Sequence, residues 1–260
     1  ELKETTIARS FEKLKPNSVR VKTDKNKIAI IIGAENYRNM TKCNYCNNDA
    51  NAFRAYAKEA LGVKKSNTIV LIDEDATEGQ ILKTFKIDLR RIAGEGDKDI
   101  YVFFAGHALA SESGDDVYLI PQDGDESLLE DTAISRVELI KLMKEVNPKS
   151  VTMFIDACYS GQTRNEKVLV ASLRGLKKTK EDDIPDNFTI FTASSSSQGS
   201  SHIEEVKHGI FSYYLMKGLE GKADTNKDNK ITNGELITYL KTNVSKEAFV
   251  QDREQDPMLA

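Results

Sequence analysis

Cysteine is scarce in this chain, three residues in 260. A number that small and odd implies no disulfide framework. Long apolar runs are also missing. None approaches the ~18 residues needed to span a bilayer, so no membrane partner is expected. Neither sign of charge dominates: 37 Lys and Arg stand against 41 Asp and Glu, for a net charge of −4. Nothing in that balance calls for nucleic acid as the main partner. No internal repeat occurs. The chain begins Glu1-Leu2-Lys3 without an initiator Met, as expected of an excised domain or the mature part of a precursor. No signal peptide is visible, though one could have been removed in processing. A cytoplasmic location is favoured, with a secreted or periplasmic one left open.

What is present suits a globular α/β protein. Hydrophobic residues make up 39% and charged residues 30%, the balance of a soluble folded chain. The length allows one large α/β domain or two small ones. Residues 1–26 are polar and read as an N-terminal arm or linker; residues 27–260 read as the folded domain. Continuous apolar runs at 27–33 (KIAIIIG), 68–73, 99–107, 150–161 and 187–194 are expected strands buried on both faces. Helical periodicity at 47–62, 77–94 and 135–146 separates them, with Thr77 as an N-cap and Gly62 and Gly94 as stops. Strands alternating with amphipathic helices give a largely parallel sheet covered on both sides. Residues 161–187 lack periodicity and read as an exposed loop.

Ligands of open parallel sheets bind beyond the carboxyl ends of the strands. Two expected strands end there in nucleophile chemistry: the third delivers His107 and the fourth delivers Cys158. A thiolate that attacks and an imidazole that manages its proton need only converge in space. Gly106 and Gly161 beside them would let backbone amides approach a substrate carbonyl as an oxyanion hole. Either residue alone is more readily structural, since a free cysteine behaves as a small buried hydrophobe. The pair at one sheet edge favours chemistry.

FFAGHA (103–108) and IDACYSG (155–161) resemble the histidine and cysteine motifs of caspase-like cysteine peptidases, and in particular the metacaspase and bacterial caspase-family branch. The histidine and cysteine stand at positions 107 and 158, close to the spacing of about 50 residues known for caspases. IAIIIGAENYRN (28–39), VYLIPQD (117–123) and HGIFSYYLMKGLEGKAD (208–224) resemble further family segments, so the likeness covers roughly residues 27 to 245. It implies a three-layer α/β/α sandwich with a mostly parallel sheet of about six strands. It also implies a cysteine endopeptidase acting on proteins or peptides, with His107 as general base and acid and Cys158 as nucleophile. The oxyanion donors would be the backbone N–H groups of Cys158 and Ala108. The family normally has glycine after the histidine. If that position needs positive φ, alanine is strained there by roughly 1–2 kcal/mol.

The branch implied by the resemblance cleaves after Arg or Lys and uses acidic pocket residues. Asp156, on an otherwise apolar strand, and Asp49, in CNNDA (46–50), are the candidates. Paired carboxylates would give a guanidinium charge-assisted hydrogen bonds, although Asp49 also suits a helix N-terminus. The branch often has a serine at the position of Ala105, so one pocket hydrogen bond is expected to be missing. Basic specificity makes Arg164, Arg174, Lys177, Lys178 and Lys180 in the 161–187 loop candidate self-cleavage points. No cofactor is required by this chemistry, and a monomer is favoured.

DTNKDNKITNGE (224–235) has the ligand spacing of an EF-hand loop, with Asp224, Asn226, Asp228, Lys230 (through its carbonyl), Thr232 and Glu235 at positions 1, 3, 5, 7, 9 and 12. Asn229 replaces the usual sixth-position glycine. Ca²⁺ is therefore a candidate ligand, beside the alternative of an Asx-rich structural turn. Asp115 and Asp116 form a second, weaker calcium candidate. Cys43 and Cys46 form Cys-x-x-Cys without a second pair or nearby histidines, a poor zinc site. The main alternative to a peptidase is a catalytically impaired caspase-like interaction or signalling module, for which Ala108 is the supporting feature. A calcium sensor on an inert scaffold is the third reading.

Overall fold

The computed structural model describes residues 10–111, 116–158, 184–194 and 201–260, with Cys158 described by its backbone alone. The chain opens with β1 (Lys27–Gly33), α1 (Cys46–Glu59) and β2 (Thr68–Ile72). Then follow α2 (Glu78–Lys83), a wide π-type turn at Thr84–Asp88 and α3 (Leu89–Ala93). Next come β3 (Asp99–Ala110), β4 (Val117–Leu119), α4 (Leu129–Thr132), β5 (Ile134–Ser135), α5 (Arg136–Lys144) and β6 (Ser150–Cys158). The last described elements are β7 (Phe188–Thr192), β8 (His202–Ile203), β9 (His208–Gly209), α6 (Ile210–Lys217), α7 (Asn233–Val250) and β10 (Met258–Leu259).

The main sheet runs β10-β7-β6-β3-β1-β2. Its five longer strands are mutually parallel, and β10 lies antiparallel on the edge beside β7. This is the mostly parallel six-strand sheet that the sequence resemblance implied. Strand order explains the layers. The chain leaves β1 for β2 on one side and then returns past β1 to β3, so right-handed crossovers place α1 and the α2–α3 segment on opposite faces. Beyond the main path, β4 pairs with the far end of β3 and with β5. These strands of two or three residues are too short to carry a sequence period, and the sequence reading missed them with β10.

Burial follows from double coverage. Ile28, Ile30 and Ile32 face one layer of β1 and Ala29 and Ile31 the other, and all five are buried. Phe53 of α1 stacks on Phe103 of β3 with ring centroids 4.4 Å apart and touches Phe154 of β6 at 5.6 Å. Gly33, the last residue of β1, lets α1 come down close. A Cβ there would stand 2.7 Å from the Ala50 Cβ and 3.1 Å from the Cys46 carbonyl oxygen.

The described part of the N-terminal arm docks on the domain. Phe11 packs edge-on against Tyr213, the Tyr213 hydroxyl donates to the Glu12 carbonyl at 2.8 Å, and Lys217 pairs with the Glu12 carboxylate at 3.0 Å. Farther on, Val21 N–H donates to the Glu59 carbonyl and Asp24 N–H to Gly62, each at 2.8 Å.

The close approach at Gly33 gives a direct expectation. Gly33→Ala overpacks the β1–α1 contact and lowers stability by about 1–3 kcal/mol, read as a shift of the urea midpoint at unchanged slope.

Candidate active site

Parallel register sets the site. Ala105 of β3 stands opposite Asp156 of β6, and two residues on His107 stands opposite Cys158. Strand alternation puts positions 105 and 107 on one face, together with 156 and 158. The cysteine and histidine named from sequence are therefore adjacent at the C-terminal edge, one strand step pair beyond the aspartate.

His107 is buried, 4% exposed, and held from two sides. Its Nε2 lies 2.8 Å from the Thr41 carbonyl oxygen. A carbonyl only accepts, so Nε2 carries the proton and Nδ1 is left as the basic atom. The Tyr37 ring packs 4.7 Å from the imidazole. The Tyr37 hydroxyl accepts from the His107 N–H at 2.7 Å and donates to the Ile120 carbonyl at 3.2 Å. Gly106 makes room for that hydroxyl, since a Cβ at 106 would lie 2.5 Å from it. The glycine before the histidine thus serves Tyr37, where the sequence reading gave it to a substrate carbonyl. Gly161 lies outside the described residues.

Ala108 carries no strain. It is an ordinary extended residue of β3 opposite Leu119 of β4, and it is not among the residues with positive φ. The strain allowed for from sequence does not arise, because a strand position asks nothing of alanine. Ile120 N–H donates to the His107 carbonyl, and Ser111 N–H donates to the Asp116 carbonyl, both at 2.9 Å. Those are the hydrogen-bonded positions of the β3–β4 ladder, and Ala108 falls between them. Its N–H therefore turns away from β4 toward the β6 side, where Cys158 stands.

Asp49 and Asp156 are brought together. Asp49 lies in the first turn of α1 and is 1% exposed; Asp156 is 4% exposed. The Asp49 carboxylate is 2.7 Å through Oδ1 from Nδ1 of His208 and accepts the Gly209 N–H at Oδ2 at 3.0 Å. Asp156 Oδ2 accepts the Ser212 N–H at 3.1 Å and its hydroxyl at 2.6 Å. A Cβ on Gly209 would stand 2.5 Å from Asp156 Oδ2 and 3.1 Å from Asp49 Oδ2. Both carboxylates thus close on one glycine. Burial first, and then Asp156, push the Asp49 carboxyl well above the usual carboxylate range. Burial also pulls the His208 imidazole down to about 4. At neutral pH His208 is uncharged, and its contact with Asp49 is a hydrogen bond between groups that share one proton.

The sequence reading missed Tyr37, Thr41, His208, Gly209 and Ser212. Tyr37 and the 208–212 stretch lie in segments matched only as family likeness. Ser212 supplies Asp156 with the hydroxyl that Ala105 lacks, from a different element. The short Cys-x-x-Cys also proved to be a disulfide, Cys43–Cys46 with Cα atoms 5.9 Å apart. It closes the turn between Thr41 and α1.

The remaining candidates separate. Arg164, Arg174, Lys177, Lys178, Lys180 and Asp115 lie outside the described residues. Asp116 is engaged at the start of α5, where its carboxylate accepts from the Ser135 hydroxyl and from the backbone N–H groups of Val117 at 2.7 Å and Val137 at 3.3 Å. In the 224–235 loop, Asp224 accepts from Asp228 and Asn229 N–H, Asn226 from Asp228 N–H, and Asp228 from Lys230 N–H. Asn229 adopts φ 63°, the left-handed conformation that its place in the loop requires. Glu235 closes a capping box with Thr232 and also accepts from Thr225. Among the described residues, no group of three or more His, Cys, Asp or Glu is arranged to hold a metal. None of the described helices is long and apolar enough to cross a membrane.

A doubly covered parallel sheet that sets a histidine beside a cysteine at its C-terminal edge has the layout of a cysteine hydrolase. The chain belongs to the caspase-domain family of C14 peptidases, whose model matches residues 26–260. Caspase-1 from Spodoptera frugiperda is similar in structure, with a TM-score of 0.60 at 16% identity, covering 98% of this chain and 93% of that one. A protein from Geobacter sulfurreducens gives a TM-score of 0.60 at 19% identity, covering 90% and 92%. Identities this low speak for the fold. No curated protein matches the chain.

Hydrogen bonds from Thr232 and Thr225 lower the Glu235 carboxyl to about 2, from an ordinary value of 4.5. A depressed carboxyl adds stability above its unfolded value, and the contribution is lost as pH falls through the folded one. Glu235→Ala should therefore lower Tm at pH 7, and the difference from the parent chain should shrink between pH 4.5 and about 2, read by calorimetry across that range.

Proposed function

We propose that the chain is a cysteine endopeptidase that cleaves proteins or peptides after arginine or lysine. The observation that carries this reading is the meeting of Asp49 and Asp156 over Gly209, two strand positions before the His107–Cys158 pair. Two buried carboxylates of like charge disfavour each other, and the Asp49 carboxyl is pushed well above the usual carboxylate range by burial and by Asp156. A guanidinium or ammonium between them reverses that balance and ionises both. A pocket floor that is costly when empty and favourable when filled selects a cation. A neutral or acidic side chain would leave the repulsion uncompensated.

The chemistry follows from the geometry of His107. Thr41 fixes the proton on Nε2, so Nδ1 takes the thiol proton of Cys158. The thiolate attacks the carbonyl carbon after the basic residue, and the C=O electron pair moves to oxygen. The N–H groups of Ala108 and Cys158, which the family resemblance names as donors, would stabilise that oxyanion on leaving the last rung of the β3–β6 ladder. Collapse breaks the C–N bond, and the imidazolium gives its proton to the departing amine. Water then attacks the thioester with His107 again as base. The acid product leaves and the thiol is regenerated. Tyr37 and Thr41 act through His107, as positioning residues.

The alternative of an impaired module drew on strain at Ala108, and Ala108 lies in extended strand backbone. Self-cleavage in the 161–187 loop accords with basic specificity. Calcium at 224–235 would use oxygens that now accept loop N–H groups.

Peptides with Arg, Lys, Asp or Leu at the cleaved position test the proposal. Turnover of the first two should fall by at least about 1000-fold in Cys158→Ala and His107→Ala. Asp156→Asn should raise KM for the basic peptides by roughly tenfold or more. Cleavage after Asp or Leu in preference to Arg and Lys sinks the specificity, and turnover surviving in Cys158→Ala sinks the mechanism.

A further inference from the structure

His208 is used by neither step of the chemistry, yet it holds the pocket floor. Its Nδ1 is 2.7 Å from Oδ1 of Asp49, and the next residue, Gly209, donates its N–H to Oδ2 at 3.0 Å. Each oxygen of one carboxylate therefore has a hydrogen-bond partner, and the two partners are neighbours in the chain. Two points of attachment fix the plane of the carboxylate as well as its position.

The clamp itself is anchored. Residues 208–209 form β9, which pairs with β8 through His202↔Gly209 and Ile203↔His208. Lys207, just before, sits at φ 58° and donates its N–H to the Ile203 carbonyl at 2.8 Å. Asn48, beside Asp49 on α1, donates its side-chain amide to the Lys207 carbonyl at 3.3 Å. On the far side, Ile210 N–H donates to Ser201 at 2.8 Å. The β8–β9 hairpin and the first turn of α1 are thus tied at three points, to which the hairpin contributes two backbone groups, the Lys207 carbonyl and the Gly209 N–H, and one side chain, His208.

Resting on the basic-pocket reading above, we propose that His208 is a specificity-determining positioning residue: by fixing the plane of Asp49, it makes the pocket prefer arginine to lysine. The reason lies in the ligands. A guanidinium is planar and donates through a rigid fork, so its bidentate hydrogen bonds depend on the orientation of the carboxylate. An ammonium is a compact point charge whose three donors rotate to find an oxygen, and it tolerates a carboxylate that turns. Asp49 with a fixed plane therefore discriminates, and Asp49 free to rotate does not. Burial pulls His208 down to about 4, so it orients Asp49 without adding a positive charge beside it.

The test is kcat/KM for two peptides differing only in Arg or Lys at the cleaved position. It is measured on the parent chain and on His208→Leu, His208→Asn and His208→Gln. The parent chain should favour arginine. In His208→Leu, kcat/KM for the arginine peptide should fall by about tenfold, mainly through KM, with the lysine peptide changed little, so the ratio collapses toward one. Asparagine places an amide N–H near the position of Nδ1 and should restore the ratio, whereas glutamine reaches past it and should not. Equal loss on both peptides, an unchanged ratio, or no arginine preference in the parent chain overturns the inference and leaves the basic pocket standing. If His208→Leu does not fold, Asn and Gln variants that behave alike overturn it equally. A parent chain that cleaves only after non-basic residues removes the pocket reading and this inference together.

Discussion

Placing two carboxylates side by side in an apolar interior is the constraint around which this molecule is arranged. Asp49 and Asp156 are almost wholly buried and close on the same glycine. A buried carboxylate without partners is strongly unfavourable. Here the partners come from a single short stretch. His208 and Gly209 serve Asp49, and Ser212 serves Asp156 twice. The start of α6 is thereby pinned to α1 on one side and to β6 on the other. Any side chain at 209 would occupy the space the carboxylates need, so glycine is demanded by close approach at a residue without positive φ.

The reactive edge is tied to that floor by strand geometry. A strand rises about 3.3 Å per residue, so the register row of His107 and Cys158 lies roughly 7 Å beyond the row of Ala105 and Asp156. Under the proposed specificity, a long basic side chain would span that offset, with its charge at the aspartates and its carbonyl at the cysteine. The histidine is fixed from the opposite side, by Tyr37 and Thr41 of the loop that leaves β1. The same loop ends at the Cys43–Cys46 disulfide and the first turn of α1. One loop therefore connects the base that would move protons with the acid that would choose the substrate.

Much of this was legible in the sequence, and the limits have physical causes. Long buried strands announce themselves by apolar runs, and so the sheet and the positions of His107, Cys158 and Asp156 followed. Strands of two residues carry no period, and β5, β8, β9 and β10 were invisible. The helix expected over 77–94 is broken by a π-type turn, which leaves apolar spacing nearly unchanged and so leaves little mark in the sequence. The partners of the site were hidden for another reason. His208 lies 159 residues from Asp49, and Tyr37 lies 70 from His107. No local pattern encodes contacts at that range. Ala108 shows the reverse error, where a family habit of glycine suggested strain that the strand does not impose.

That separation bears on when the pocket exists. Its floor needs α1, β6 and the β9–α6 junction at once, three parts of the chain drawn from its first, middle and last thirds. Contacts this distant in sequence carry a large loop-closure cost. Until the last part docks, Asp49 and Asp156 lack their donors and are better left in water. The register of the nucleophile row, in contrast, is set by the β3–β6 ladder, with Tyr37 and Thr41 holding the histidine. A chain in which 208–212 had not docked would keep its cysteine and histidine in register while Asp49 and Asp156 lacked the partners on which the proposed basic pocket rests.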